Sequence, residues 1–231
     1  MSNEYSLMSI PDAALIISKL SKESGRKAGQ ELEAFAHVRG DKDTKLVIKE
    51  TNPFVLATIL SSHDYTVPSI ASWLMDAESI LNSIEMQPAT WESEIIQNVE
   101  SASAAAFDFF TYIFGLADDK RQLAAVIDGM TSSDSHRIFL LLAFLTWDRN
   151  KDVDPAPGNH LYLYQLIESF SPELAEMLDD YGHYNPIDDG EDQIKWQRIY
   201  RTMLNSVVHT AKARVIGLDD GELDDMFTPI K

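Results

Sequence analysis

Cysteine is absent from this chain of 231 residues. That excludes disulfides, thiolate metal sites and a cysteine nucleophile, so packing alone must hold the fold. Lysine and arginine are absent from two long stretches. Ten carboxylates, Asp64 to Asp119, follow Glu50 without an intervening cation, and eleven more fall between Asp152 and Asp192 with none. Long hydrophobic runs are missing too: the longest, 138–145, falls far short of the roughly 20 residues a membrane helix needs. The ten glycines are scattered singly, with no phosphate-cradling G-x-x-x-x-G-K and no G-x-S-x-G elbow. The six histidines, at 37, 63, 136, 160, 183 and 209, lack the helical spacing of metal ligands. The expectation is a protein without catalytic residues, cofactor or metal.

What is present suits a folded chain. Apolar residues make up 45%, enough for a real core. The net charge of −18 favours solubility and repels nucleic acid and anionic membranes at long range. Residues 1–8 carry Glu4 and no cation, and the apolar run 13–17 is too short for a secretory core. The expected setting is soluble and cytoplasmic.

Helix punctuation recurs. Ser9 precedes Pro11, Asn52 precedes Pro53, Thr66 precedes Pro68 and Ser171 precedes Pro172. Each pairs a capping oxygen with a first-turn proline that loses no needed N–H. The pattern predicts helices near 11–20, 26–38, 53–61, 68–84, 90–114, 119–127, 134–147, 159–170, 172–181 and 191–216. Gly129 and Gly182 stand where a helix would end on a left-handed residue. Only 44–49 (TKLVIK) has strand character, and it would have nothing to pair with. The fold class is therefore all-α: a compact bundle of about nine to ten helices around a central apolar helix near 138–147 (IFLLLAFLTW), apolar on every side. Residues 1–216 read as a single helical domain, with subdivision open near 148–159. Residues 217–231 read as an acidic, flexible C-terminal tail with an apolar spot at Met226 and Phe227. Asp108 aligns with Ser101, Ala104, Thr111 and Gly115 in a small, polar stripe, read as a solvated or close-packed face.

The C-terminal helix holds the strongest candidate surface. At 100° per residue, Lys195, Arg198, Arg201, Asn205, His209 and Lys212 fall within an arc of about 120°. Trp196, Ile199, Tyr200, Met203, Leu204, Val207, Val208, Ala211 and Val215 lie broadly opposite, and Arg214 falls outside the row. Between Ile194 and Ile216 there is no carboxylate. Such a row can track phosphates or clasp an acidic surface, its own tail included. The cations of residues 19–49 are offset by eight acids within residues 1–50, an ordinary mixed surface.

Three weaker patterns complete the reading. Asp148, Asn150, Asp152 and Asp154 alternate in a way that resembles the opening of a calcium-binding loop. Val153 stands where that loop needs glycine, prolines occupy 155 and 157, and Asn159 replaces the bidentate glutamate. A capped interhelical loop is expected instead. His63-Asp64, with His37 upstream, resembles the His-Asp pair of helical metal-dependent phosphohydrolases, but no further aspartate is singled out. Arg201 and His209 are loosely similar to the Arg/His pair of helical RNA-cleaving domains, with a longer spacing.

The leading expectation is a non-catalytic interaction protein whose acidic faces bind a basic protein partner, as an inhibitor, immunity-like protein or nucleic-acid mimic would. The alternative is a nucleoprotein-like assembly protein holding single-stranded RNA or DNA on the basic helix, with self-association open. A His-Asp phosphohydrolase is the outsider. No membrane is expected among the partners.

Overall fold

The computed structural model describes residues 5–62, 69–115, 120–147, 154–181 and 191–217. His63, Asp64, Thr66, Pro68, residues 148–153, Gly182 and the tail beyond 217 lie outside them. Among the described residues all regular structure is helical. The helices are α1 (Ile10–Glu23), α2 (Gly25–Glu50), α3 (Pro53–Ser61), α4 (Ile70–Leu74), α5 (Ala77–Met86), α6 (Ser93–Gln97), α7 (Val99–Gly115), α8 (Lys120–Thr131), α9 (Asp134–Phe144), α10 (His160–Phe170), α11 (Pro172–Tyr181) and α12 (Glu191–Gly217). Short 3-10 turns occupy Tyr5–Leu7 and Gln87–Thr90. No helix among the described residues is long and apolar enough to cross a membrane.

Caps decide most of the boundaries. Ser9 accepts from Asp12 N, Asn52 from Phe54 N at 2.8 Å, and Ser171 from Leu174 N. Two long predicted helices are broken by caps that periodicity alone does not reveal. Asp76 accepts from Ser79 N at 3.0 Å and starts α5, so 68–84 is not continuous. Asn98 accepts from Ser101 N at 2.9 Å and starts α7, so 90–114 divides into a 3-10 turn, α6 and α7. Gly129 ends nothing: α8 runs through it to Thr131. The strand-like 44–49 is helix, because Val47 and Ile48 are buried on α2.

Contacts divide the chain into two units: residues 1–90 with 211–231, and residues 91–210. The segment 148–159 falls inside the second unit.

In the first unit, α1 and α2 form a helical hairpin, and α3 packs on α2 and α5. A Cβ on Gly25 would overlap Thr58 O of α3 and Oγ of its capping Ser62, so only glycine permits this approach of α2. Gly40 breaks α2 with φ +76°, a conformation that side chains disfavour. Just before the break, the Arg39 guanidinium donates to Tyr5 O and Met8 O and pairs with Asp43. Tyr5 donates to Glu31 at 2.5 Å, so the N-terminal segment is strapped to α2. Ala211 and Val215, from the last turns of α12, are buried with Ala57, Met86 and Ala89.

In the second unit, α9 lies against α7, α8 and α11. Phe139 to Leu145 are all buried, which accords with a central helix apolar on every side. Phe109, Phe110, Phe139 and Trp91 form an aromatic core with centroids 5.3–6.1 Å apart. The His160 ring stacks on Phe107 at 3.6 Å, and its Nε2 lies 3.1 Å from Ala143 O.

Candidate interaction surfaces

The periodicity of α12 predicts its exposed side well. Arg198, Arg201, Asn205 and His209 are exposed and Lys212 is half-buried. Tyr200, Leu204, Val207, Val208, Ala211 and Val215 are buried opposite. Nothing is described of the Lys195 and Trp196 side chains. Ile199, read as core-facing, is 38% exposed, because it flanks the cationic face rather than opposing it. Ile194 is 62% exposed and lies on the cationic face itself, one turn before Arg198.

The cations differ in their commitments. Arg201 donates from Nη2 to Gln97 O at 3.1 Å, an exposed bond to the end of α6. Arg214, outside the row, forms an ion pair with Glu85 of α5, whose side chain is only 9% exposed. Among the described residues, no ion pair engages Arg198, His209 or Lys212. Arg214 is therefore committed to Glu85, while among the described residues the row from Arg198 to His209 is exposed.

Exposed carboxylates stand on several helices of the second unit. On α11, Glu173, Glu176 and Asp180 are exposed at i, i+3 and i+7, while Leu174, Ala175 and Leu178 are buried. Glu168 is exposed on the adjacent α10, and Glu100 and Asp108 on α7. Tyr164 donates to Asp179 Oδ2 at 3.1 Å, which ties α10 to α11. Partial burial holds the Asp108 carboxyl above the usual carboxylate range. Its stripe is largely solvated: Ser101, Ala104 and Gly115 are exposed as well.

At Asp76, burial opposes ionisation, but the Ser79 amide and hydroxyl and the Lys49 ammonium together outweigh it. The carboxyl is held below its ordinary range. Lys49 lies 2.9 Å away, and its own affinity for a proton rises through that contact.

The weaker patterns fare variously. Of the calcium-like alternation only Asp154 is described; it is exposed, and its carbonyl accepts from Asn159 Nδ2. Asn159 caps α10 by accepting from Tyr162 N at 2.8 Å. His37 is exposed on α2. Among the described residues no group of three or more His, Asp or Glu could hold a metal ion.

Two family models match. Residues 6–74 match the AtcB N-terminal domain and residues 77–162 the AtcB C-terminal domain. The chain is also similar to "Adaptation to cold protein B" of Shewanella oneidensis, 26% identical over 238 residues, covering 92% of this chain and 94% of that protein. No solved structure gives a significant match. The junction of the matched segments falls at Met75 and Asp76, where Asp76 caps α5. The contacts instead divide the chain after Thr90. The candidate row on α12 lies beyond both matched segments.

Proposed function

We propose that this chain is a non-catalytic helical interaction protein whose acidic faces bind a basic protein partner. One observation carries the reading: Glu168, Glu173, Glu176 and Asp180 project from α10 and α11 in a stretch, 152–192, that has no lysine or arginine. A one-sign face of this kind speeds encounter with an oppositely charged surface and disfavours anionic competitors. The buried apolar residues of α11 hold the carboxylates at helical spacing, so the face is presented already ordered. The relative's printed name gives a physiological setting, adaptation to cold, and no partner.

Affinity capture with the full chain as bait tests this. A basic protein should be retained at low salt, released as salt rises, and lost when Glu173, Glu176 and Asp180 become Gln, Gln and Asn. Retention unchanged by that triple substitution would falsify the assignment to this face. A second reading, favoured by the exposure of Arg198, Arg201 and His209 on a helix face free of carboxylates, is single-strand nucleic-acid binding. It predicts that log K falls with log salt at roughly −0.7 per phosphate contacted, and that binding is abolished by Arg198→Glu with Arg201→Glu.

A further inference from the structure

The first unit holds a tryptophan in water. Trp73 of the short α4 is 63% exposed, while Ala71, Ser72, Leu74 and Met75 around it are buried. Leu46 on α2 is 45% exposed, and Lys42, Lys45 and Lys49 are exposed beside it. α2 packs on α4, and Lys49 pairs at 2.9 Å with Asp76, which follows the cap of α4. Leu46 stands one turn before Lys49, and Trp73 one turn before Asp76, so the pair draws both apolar side chains to one end of the unit. We propose that Trp73 and Leu46, with the lysines of α2, form a docking surface for an acidic amphipathic helix of a partner protein. This contact is independent of the carboxylates on α10 and α11.

Charge and spacing argue for that occupant. At about 100° per residue the three lysines fall within about 60° of the α2 surface, and Leu46 lies about 40° beyond them. Asp41 and Glu50 are exposed as well but fall outside this arc, one on either side. Among the described residues no ion pair engages Lys42 or Lys45. Two cations therefore stand uncommitted in a chain of net charge −18. Lys42 to Lys49 spans about 10.5 Å, the rise that separates carboxylates at i and i+7 on a partner helix. An exposed tryptophan rimmed by charge has the make-up of an interface anchor, because its ring buries a large apolar area when covered. A single helix touches the arc alone and brings few charges, which screening over about 8–10 Å confines to the lysines. An anionic bilayer is a plane that would meet Asp41 and Glu50 too, and a second copy would bring its own −18.

The probe is a dye-labelled synthetic peptide of about 18 residues, with leucine at i, i+3, i+4 and i+7 and glutamate or glutamine elsewhere. Its anisotropy is followed as the full chain is added. Binding should weaken by about tenfold or more with Trp73→Ala, and likewise with Lys42→Glu plus Lys45→Glu. These positions are exposed, so the substitutions leave the fold intact. Lys42→Arg plus Lys45→Arg should preserve binding, as should Arg198→Glu plus Arg201→Glu. A peptide of equal charge with every leucine replaced by glutamine should bind about tenfold more weakly or worse. Tryptophan emission should shift to the blue on docking, and the shift should vanish in Trp73→Phe, since Trp91 and Trp147 are already buried. No binding at about 1 mM peptide overturns the proposal. So does binding that Trp73→Ala keeps and Arg198→Glu plus Arg201→Glu removes, which places the peptide on α12. Retention on phosphatidylglycerol vesicles that depends on Trp73, without peptide binding, makes a bilayer the occupant. A doubled native mass that reverts in Trp73→Ala makes it a second copy; either result overturns the partner helix.

Discussion

Arg214 reaches from the last turns of α12 to Glu85 of α5, joining two helices of the first unit through a carboxylate that is nearly buried. The two residues stand far apart in the sequence, so no local pattern announces the pair. Arg214 escapes the cationic row because it points toward this acid instead.

Arg214 is itself half-exposed, but removing it leaves the nearly buried Glu85 carboxylate desolvated without this partner. Arg214→Ala should lower unfolding stability by about 1–3 kcal/mol. Arg198→Ala, on the exposed row, should stay within about 0.5 kcal/mol of the parent. Urea denaturation of both variants measures this; equal effects would show that Glu85 is supported adequately by other groups.

Asp76 predicts a pH dependence of defined sign. Its folded-state carboxyl is held below the ordinary range, so the stability it contributes is present above the unfolded value of about 3.9 and is lost as pH falls through the folded value. Asp76→Asn keeps a capping oxygen but loses the Lys49 contact. The variant should be less stable by up to about 1 kcal/mol at neutral pH, since the pair is largely exposed. The difference should close as pH falls through the folded-state value, which lies below the ordinary carboxylate one. A gap that persists in acid would point to the cap, not the charge.

Asp108 should behave in the opposite sense. Burial raises its folded-state proton affinity, so the parent loses stability as pH climbs from the unfolded value through the folded one. Asp108→Asn removes that loss. At neutral pH the variant should equal or exceed the parent by a few tenths of a kcal/mol, about the limit for a surface site, and the advantage should vanish near pH 3. Thermal melts at both pH values decide it.

Two glycines of α2 should fail for different reasons. Gly25→Ala drives a methyl into Thr58 O and Ser62 Oγ, and main chain cannot swing aside as a side chain does; a loss of about 3 kcal/mol is expected, the upper end for overpacking. At Gly40 a methyl meets nothing within 4 Å. Its cost is the strain of φ 76° with ψ 174°, a region that essentially only glycine populates, about 1–3 kcal/mol. Gly40→Asn should lose as much as Gly40→Ala, because ψ of 174° lies outside the left-handed helical region that asparagine tolerates. No conservative residue should recover the loss at Gly25.

The all-helical fold and its start signals were legible because helix initiation is a local event. Ser9, Asn52, Ser171 and Asn159 cap helices through bonds two or three residues away. The same rule was available for Asp76 and Asn98, yet the apolar period passes through both without a change of phase, so periodicity masked the breaks. The face of α12 was legible for a similar reason, apart from Ile199, which is 38% exposed. An isoleucine on a helix suggests a core contact, yet the period itself places Ile199 at the edge of the apolar side and not at its centre.

Amino-acid order alone therefore determined the helical class, most of the caps, the buried α9 and the spacing of the cations on α12, since each depends on groups within a turn or two. Tertiary structure alone decided the close approach at Gly25, the ties of Arg39 to Tyr5 and Met8, and the claim of Glu85 on Arg214. Those depend on distances between segments remote in the chain, which a helical period does not encode.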